Sequence, residues 1–190
     1  MADDEPRVQP ASAEEWRAWL DEHHTTATGV WLVHWRRHTG RPTVSYDDAV
    51  TEALAVGWID SVAKRLDDDR TMQRYTPRRP TSGWSGLNKK RIARLEAEGR
   101  MGPAGRDAIE TAKANGTWIL LDDVEKLVVP DDLAAAFEEH PGSREAWEAF
   151  PRSAKTQMLY WIVTAKRPET RRARVTATAE KAARGERARG

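Results

Sequence analysis

The chain has 190 residues, of which 39% are hydrophobic and 32% charged, with nine tryptophans and no cysteine. That length suits one domain, or one domain with a helical appendage, and the lack of cysteine excludes disulfides and thiolate chemistry. No apolar run approaches the roughly 18 residues of a membrane helix, and the acidic, proline-broken start MADDEPRVQP is not that of a signal peptide, so a soluble cytoplasmic protein is expected.

The formal net charge of +1 conceals an asymmetry. Residues 166–190 carry nine Lys/Arg against three Asp/Glu, whereas the remainder carries 22 against 27. A basic tail on an acidic body implies either docking of the tail or an anionic partner.

Residues 1–10 read as a disordered leader. Ser12 and Glu15 then form a capping box, followed by Trp16, Trp19, Leu20 and His23 at helical spacing. VWLVHWRR (Val30 to Arg37) is apolar on both faces at its start, which suits an inner strand. Ser45 caps the next helix, with Asp48 at its third position, and Gly57 supplies a left-handed stop. From Trp58 to Leu66 the chain reads as a strand with Trp58, Asp60, Val62, Lys64 and Leu66 on one face. Asp67 to Asp69 turn it back through Thr71 to Tyr75, making a hairpin.

Pro77 and Pro80 stiffen a loop around Arg78 and Arg79. Ser85 caps a helix ending at Gly99, and Pro103 opens another that stops at Asn115-Gly116. Trp118 to Leu121 is a short strand or a buried connector. Helices follow from Pro130, from Ser143 as a cap, and from Ser153 to Ala165; Pro168 bends or restarts the last of these into a basic continuation. The expected architecture is α+β, an antiparallel sheet of about three strands covered by helices, with a core over 11–121 and a C-terminal helical segment over 122–190.

Within this frame Arg78, Arg79, Ser82, Trp84, Ser85 and Asn88 form the strongest constellation. A helix start presents free N–H groups and partial positive charge, and guanidinium forks add bidentate donors, so together they suit a phosphate, sulfate or carboxylate. The alternative is that the arginines pair with Asp67, Asp68 and Asp69 or with the acidic first helix, and that Ser85 only caps. Asp60, a carboxylate on an apolar strand face, must be exposed, paired or functional, because an isolated buried charge is costly. It is the candidate catalytic residue, as acid/base. Trp31, Trp35, Trp58 and Trp84 offer flat apolar walls for a planar or amphiphilic ligand. Tyr160, Lys166 and Arg171 flank the Pro168 bend as further candidate ligand-binding residues.

No metal and no cofactor are expected: His34 and His38 would stand roughly 13 Å apart on an extended strand, too far for one ion. GWSGLNKK around Ser85 has Leu87 where a nucleophile elbow needs glycine, and it lacks the G-x-x-x-x-G-K-[ST] of a phosphate loop. The basic tail offers phosphate contacts to nucleic acid, but its arginines spread round a helix without interleaved aromatics, so nucleic acid is the third reading.

Four segments resemble the bacterial YdeI/OmpD-associated, or bacteriocin-protection, family: EALAVGWIDS (Glu52 to Ser61), YTPRRPTSGWSGLNKKRIARLEAEGRM (Tyr75 to Met101), PAGRDAIETAKANGTW (Pro103 to Trp118) and LYWIVTAKRPETRRARV (Leu159 to Val175). Val56 stands where the family often has Cys or Phe. The resemblance implies a small bacterial α+β protein serving tolerance of antimicrobial peptides or toxins, and it carries over no reaction, cofactor or catalytic residue. A protective protein binding a small anionic or amphiphilic molecule is the leading expectation, and an enzyme using Asp60 on an anionic substrate is its rival.

Overall fold

The computed structural model describes residues 5–188, and its chain divides into two units, Met1–Trp118 and Ile119–Gly190. In the first, the elements run β1 (Arg7–Val8), α1 (Ala13–His23), β2 (Val30–Trp35), α2 (Tyr46–Ala55), β3 (Trp58–Arg65), β4 (Arg70–Pro77), α3 (Gly86–Ala97) and α4 (Pro103–Ala114). Caps fall where small polar residues permit them. Ser12, Ser45 and Ser85 each accept the backbone N–H three residues on, satisfying a donor that has no partner within its helix.

The sheet has four strands in the order β1-β2-β4-β3. β2 and β3 both pair antiparallel with β4, whereas β1 pairs parallel with β2. The expectation of about three strands, all antiparallel, is therefore corrected by one strand. Arg7 and Val8 lie inside the stretch read as a leader; residues 1–4 of that stretch lie outside the described residues. Two residues are too short to show alternation, and their placement depends on distant partners. Trp31 N donates to Pro6 O, and Glu5 holds Arg74 through both carboxylate oxygens.

One sheet face packs against the helices. Val30, Leu32, Trp58 and Tyr75 join Trp16 and Leu54 in the main core of this unit, each 1% exposed or less. Burying a large apolar side chain contributes about 1.5–3 kcal/mol. The buried indoles also find acceptors: Trp16 donates to Ala49 O at 3.0 Å and Trp58 to His24 O at 3.2 Å.

A β-bulge breaks the expected alternation of β3. Asp60 pairs with Tyr75 but Ala63 pairs with Gln73, so three steps on β3 face two on β4. The extra residue reverses the side on which later residues stand. Lys64 pairs with Met72 and sits over the Trp31 ring at 4.9 Å. It thus stands on the face opposite Asp60, not on the same face, and Val62 is left exposed.

Gly57 and Gly105 bring α4 close to the end of α2. Gly57 has φ +76°, and a Cβ there would meet Ala104 O at 2.9 Å; a Cβ on Gly105 would meet Ala55 O at 2.5 Å and Leu54 O at 2.8 Å. Backbone approaches backbone here, and only glycine leaves the room.

Glu52 of α2 is 3% exposed and forms ion pairs with Arg17 of α1, at 3.3 Å, and with Arg100. A buried carboxylate stripped of its partners is strongly destabilising. Removing both cations, as in Arg17→Met with Arg100→Met, is expected to cost about 3–5 kcal/mol in urea unfolding. Glu52→Gln in the same background is expected to restore most of that loss.

The second unit is helical: α5 (Asp122–Glu125), α6 (Asp131–Glu139), α7 (Ser143–Ala149), α8 (Arg152–Val163) and α9 (Pro168–Ala183). Its core gathers Leu133, Phe137, Trp147, Met158, Ile162 and Ala179. Trp118 to Leu121 forms turns. The cap of α7 is Gly142 in the left-handed region, and Ser143, expected there, is buried with its hydroxyl donating to Phe137 O at 3.2 Å. Pro168 stands at the first turn of α9 and so opens a new helix, as its fixed φ and missing N–H favour.

Candidate anion-binding cleft

The loop between β4 and α3 is fixed at several points before any ligand is considered. Arg78 N donates to Gly57 O at 2.9 Å and Ser82 N to Arg79 O at 2.9 Å. Pro80 O accepts from Asn115 Nδ2 at 2.8 Å and from Thr117 Oγ1 at 3.2 Å, which ties the loop to the end of α4. Between loop and helix lies a cleft of about 220 Å³, with Arg78, Arg79 and Trp84 on one side and Asp107, Ala108 and Thr111 of α4 on the other.

Arg78 is the centre of its electrostatics. Its guanidinium carbon lies 3.6 Å from the centroid of the Trp84 ring, and Nη2 donates to Gly83 O at 2.8 Å. Trp84, 2% exposed, is backed by Trp118 with centroids 5.2 Å apart. Nε of Arg78 is buried and has no hydrogen-bond partner. Burial pushes the guanidinium down to about 10, against the raising field of Asp60. It remains a cation at neutral pH, held by a ring face and a carbonyl rather than by a carboxylate.

The aspartates of the β3–β4 turn are engaged elsewhere. Asp67 pairs with Arg70, Asp68 with Arg65 and Asp69 with His38. Neither Arg78 nor Arg79 makes an ion pair among the described residues. Ser82, Ser85 and Asn88 do not line the cleft. Asn88 Oδ1 instead accepts from Arg91 Nη1 at 2.7 Å, and Arg91 grips Asp47 through Nε at 3.0 Å and Nη2 at 2.6 Å. Thus the start of α3 is knitted to the start of α2.

Trp31 and Trp58 are each 1% exposed and committed to packing, Trp31 with Val33 and Met72 on the sheet face away from the main core. Tyr160, Lys166 and Arg171 belong to the second unit. There Tyr160 and Lys166 are exposed, and Arg171 forms a bidentate pair with Asp132 at 2.7 and 3.0 Å.

Asp60 lies outside the cleft and heads a second polar group. Its Oδ2 accepts from Tyr46 Oη at 2.8 Å and from Gln73 Nε2 at 3.4 Å. Tyr75, fully buried with an unpartnered hydroxyl, has its ionisation pushed up by burial and by the Asp60 charge. Tyr46 reads in the sequence as an apolar helix residue, so its role was hidden. Gln73 and Tyr75 share one face of an alternating strand, a signal that was present in TMQRY.

A wider cleft of about 610 Å³ between α1 and α2 contains Arg17 and Arg100, but Arg17 is paired with Asp21 and Glu52 and Arg100 with Glu52 and Glu98. Among the described residues, no group of three His, Cys, Asp or Glu is placed to hold a metal ion, and no helix is long and apolar enough to cross a membrane.

Two family models match the chain, one within each unit. Residues 8–108 match a domain of unknown function (DUF8412), and residues 126–185 match the family described as bacteriocin-protection, YdeI or OmpD-associated. The resemblance to the latter family therefore holds, with its match in the helical unit. The GWID and TPRRP segments fall within the other match. No curated protein matches the chain, and no solved structure does.

Proposed function

The chain belongs to the DUF8412 family, and we propose that its first unit binds a small anion with a planar or amphiphilic body in the cleft of Arg78, Arg79 and Trp84. One observation carries this reading. Arg78 is a half-buried cation stacked on an indole, with its buried Nε unpartnered and no ion pair to either nearby carboxylate, Asp60 or the Asp107 of the cleft wall. Such a group gains from an anion that supplies the missing charge, because charge-assisted hydrogen bonds are strong where water is excluded. Arg79 adds a second, exposed cation at the rim. The family description of residues 126–185 supports a bacterial protective role for the whole chain, with ligand capture as its means.

Titration calorimetry with inorganic phosphate and phenyl phosphate tests this. Saturable one-to-one binding is expected for both, tighter for phenyl phosphate because its ring adds apolar contact. Absence of saturation with either would remove the reading.

The rival, an enzyme using Asp60, has less support. Asp60 is hydrogen-bonded to Tyr46 and Gln73, outside the cleft that holds Arg78 and Arg79. The nucleic-acid reading loses two of its cations to the helical unit itself, where Arg171 pairs with Asp132 and Arg174 donates to Trp161 O.

A further inference from the structure

At the start of α2 a separate cavity of about 280 Å³ is lined by His34, Tyr46, Ala63, Thr71, Met72 and Gln73. No charged side chain is among these six, and three of the polar ones each have a donor already engaged. His34 Nδ1 lies 3.1 Å from Val44 O. A carbonyl only accepts, so the neutral ring carries its proton on Nδ1 and leaves Nε2 as a lone pair. Burial holds His34 below the usual histidine range, which keeps the ring neutral.

Tyr46 donates its hydroxyl proton to Asp60 Oδ2 at 2.8 Å, so its oxygen is left to accept. Gln73 donates one N–H of Nε2 to the same carboxylate oxygen at 3.4 Å, leaving Oε1 to accept and a second N–H besides. The geometry thus offers three acceptors around one small cavity, with the Asp60 carboxylate directly behind two of them. Thr71 can turn its hydroxyl either way. Such a lining favours a ligand that brings its own donors, and the Asp60 carboxylate behind it disfavours one that brings negative charge.

We infer that this cavity binds a single-ring molecule bearing N–H donors, of the aromatic amidine or amine class, held by His34, Tyr46 and Gln73. Its volume lies just under the roughly 300 Å³ at which pockets for drug-sized molecules begin, which limits the ligand to about one ring. The inference does not rest on the Arg78 cleft, whose charge preference is the opposite.

The test uses the full chain with two isosteric probes, benzamidine and benzoate. Benzamidine is expected to bind saturably, one per chain, with NMR shifts confined to His34, Tyr46, Gln73 and their neighbours. Benzoate is expected not to perturb those residues. His34→Phe, which keeps the ring and removes the acceptor, should weaken benzamidine about tenfold, the effect of one lost hydrogen bond. Gln73→Leu should do the same without altering the ring, and serves if the first variant folds poorly. Arg78→Met should not weaken benzamidine, which separates this site from the cleft. Benzoate perturbing the same residues as strongly as benzamidine, or benzamidine affinity unchanged in both acceptor variants, would overturn the inference.

Discussion

Replacing Arg78 by methionine is expected to weaken phenyl phosphate binding at least about thirtyfold, the effect of roughly 2 kcal/mol lost from a desolvated charge contact. The same change is expected to leave the free protein's urea-unfolding stability within about 1 kcal/mol, because two opposing terms nearly cancel. Methionine forfeits the bond to Gly83 O and the stacking on Trp84. It also relieves the protein of a desolvated charge and an unpartnered buried Nε. A residue kept for stability alone would show the reverse pattern, a large loss on unfolding with binding intact. Arg78→Lys should fall between, since an ammonium keeps the charge but lacks the planar fork that matches both the ring and the anion. The pH dependence follows from the cation. Its range is pushed down to about 10, so affinity should hold through neutral pH and fall as pH rises through about 10, where the group loses its proton. A bound anion favours the charged form and moves that fall to higher pH. In cells lacking the protein, wild type but not Arg78→Met is expected to restore tolerance of bacteriocin.

Gly105→Ala is expected to lower the stability of the first unit by about 3 kcal/mol, measured by the urea midpoint. The added Cβ would stand 2.5 Å from Ala55 O and 2.8 Å from Leu54 O, and both obstacles are backbone at the end of a helix. A flexible side chain can swing away from such a contact, whereas a helix terminus must move as a body. Intrinsic propensity argues the other way, since alanine favours a helix by up to about 1 kcal/mol over glycine. Sterics win because overpacking in a rigid setting costs more than propensity returns. Arg106→Ala, one residue on and exposed, should change stability by less than about 0.5 kcal/mol. The functional consequence is also testable. α4 carries Asp107, Ala108 and Thr111, so displacing it opens the cleft and should weaken phenyl phosphate even where Gly105→Ala remains folded.

Much of the first unit was legible because its signals are local. Serine caps, the left-handed glycine after α2 and the double-sided strand Val30 to Trp35 each depend on a few adjacent residues. The failures are all nonlocal. The alternation from Trp58 to Leu66 puts Lys64 on the face of Asp60, but a bulge registers only against β4, and it sends the lysine to the other face. Arg78, Arg79 and Trp84 were found as a group because loop stiffness and charge are written in one short segment. Ser82, Ser85 and Asn88 are only adjacent to them in the chain, and they do not line the cleft. Asp107 and Thr111 were unreadable as its far wall, since only the packing of α4 on α2 brings them there. The Tyr46–Asp60–Gln73 cluster spans two strands and a helix, and no spacing along the chain announces it.

The two-residue strand β1 has a consequence for the edge of the sheet beside β2. Without it, β2 would present an open row of N–H and C=O groups alongside Trp31 and Leu32, a template on which a second chain could add its own strand. Arg7 and Val8, steadied by the neighbouring Glu5–Arg74 pair, occupy that row. At that position they are expected to act as a guard rail against edge-to-edge association. Trimming the chain past Val8 would therefore first be seen in light scattering, as growth of multimers, before any change in the melting of the remaining core.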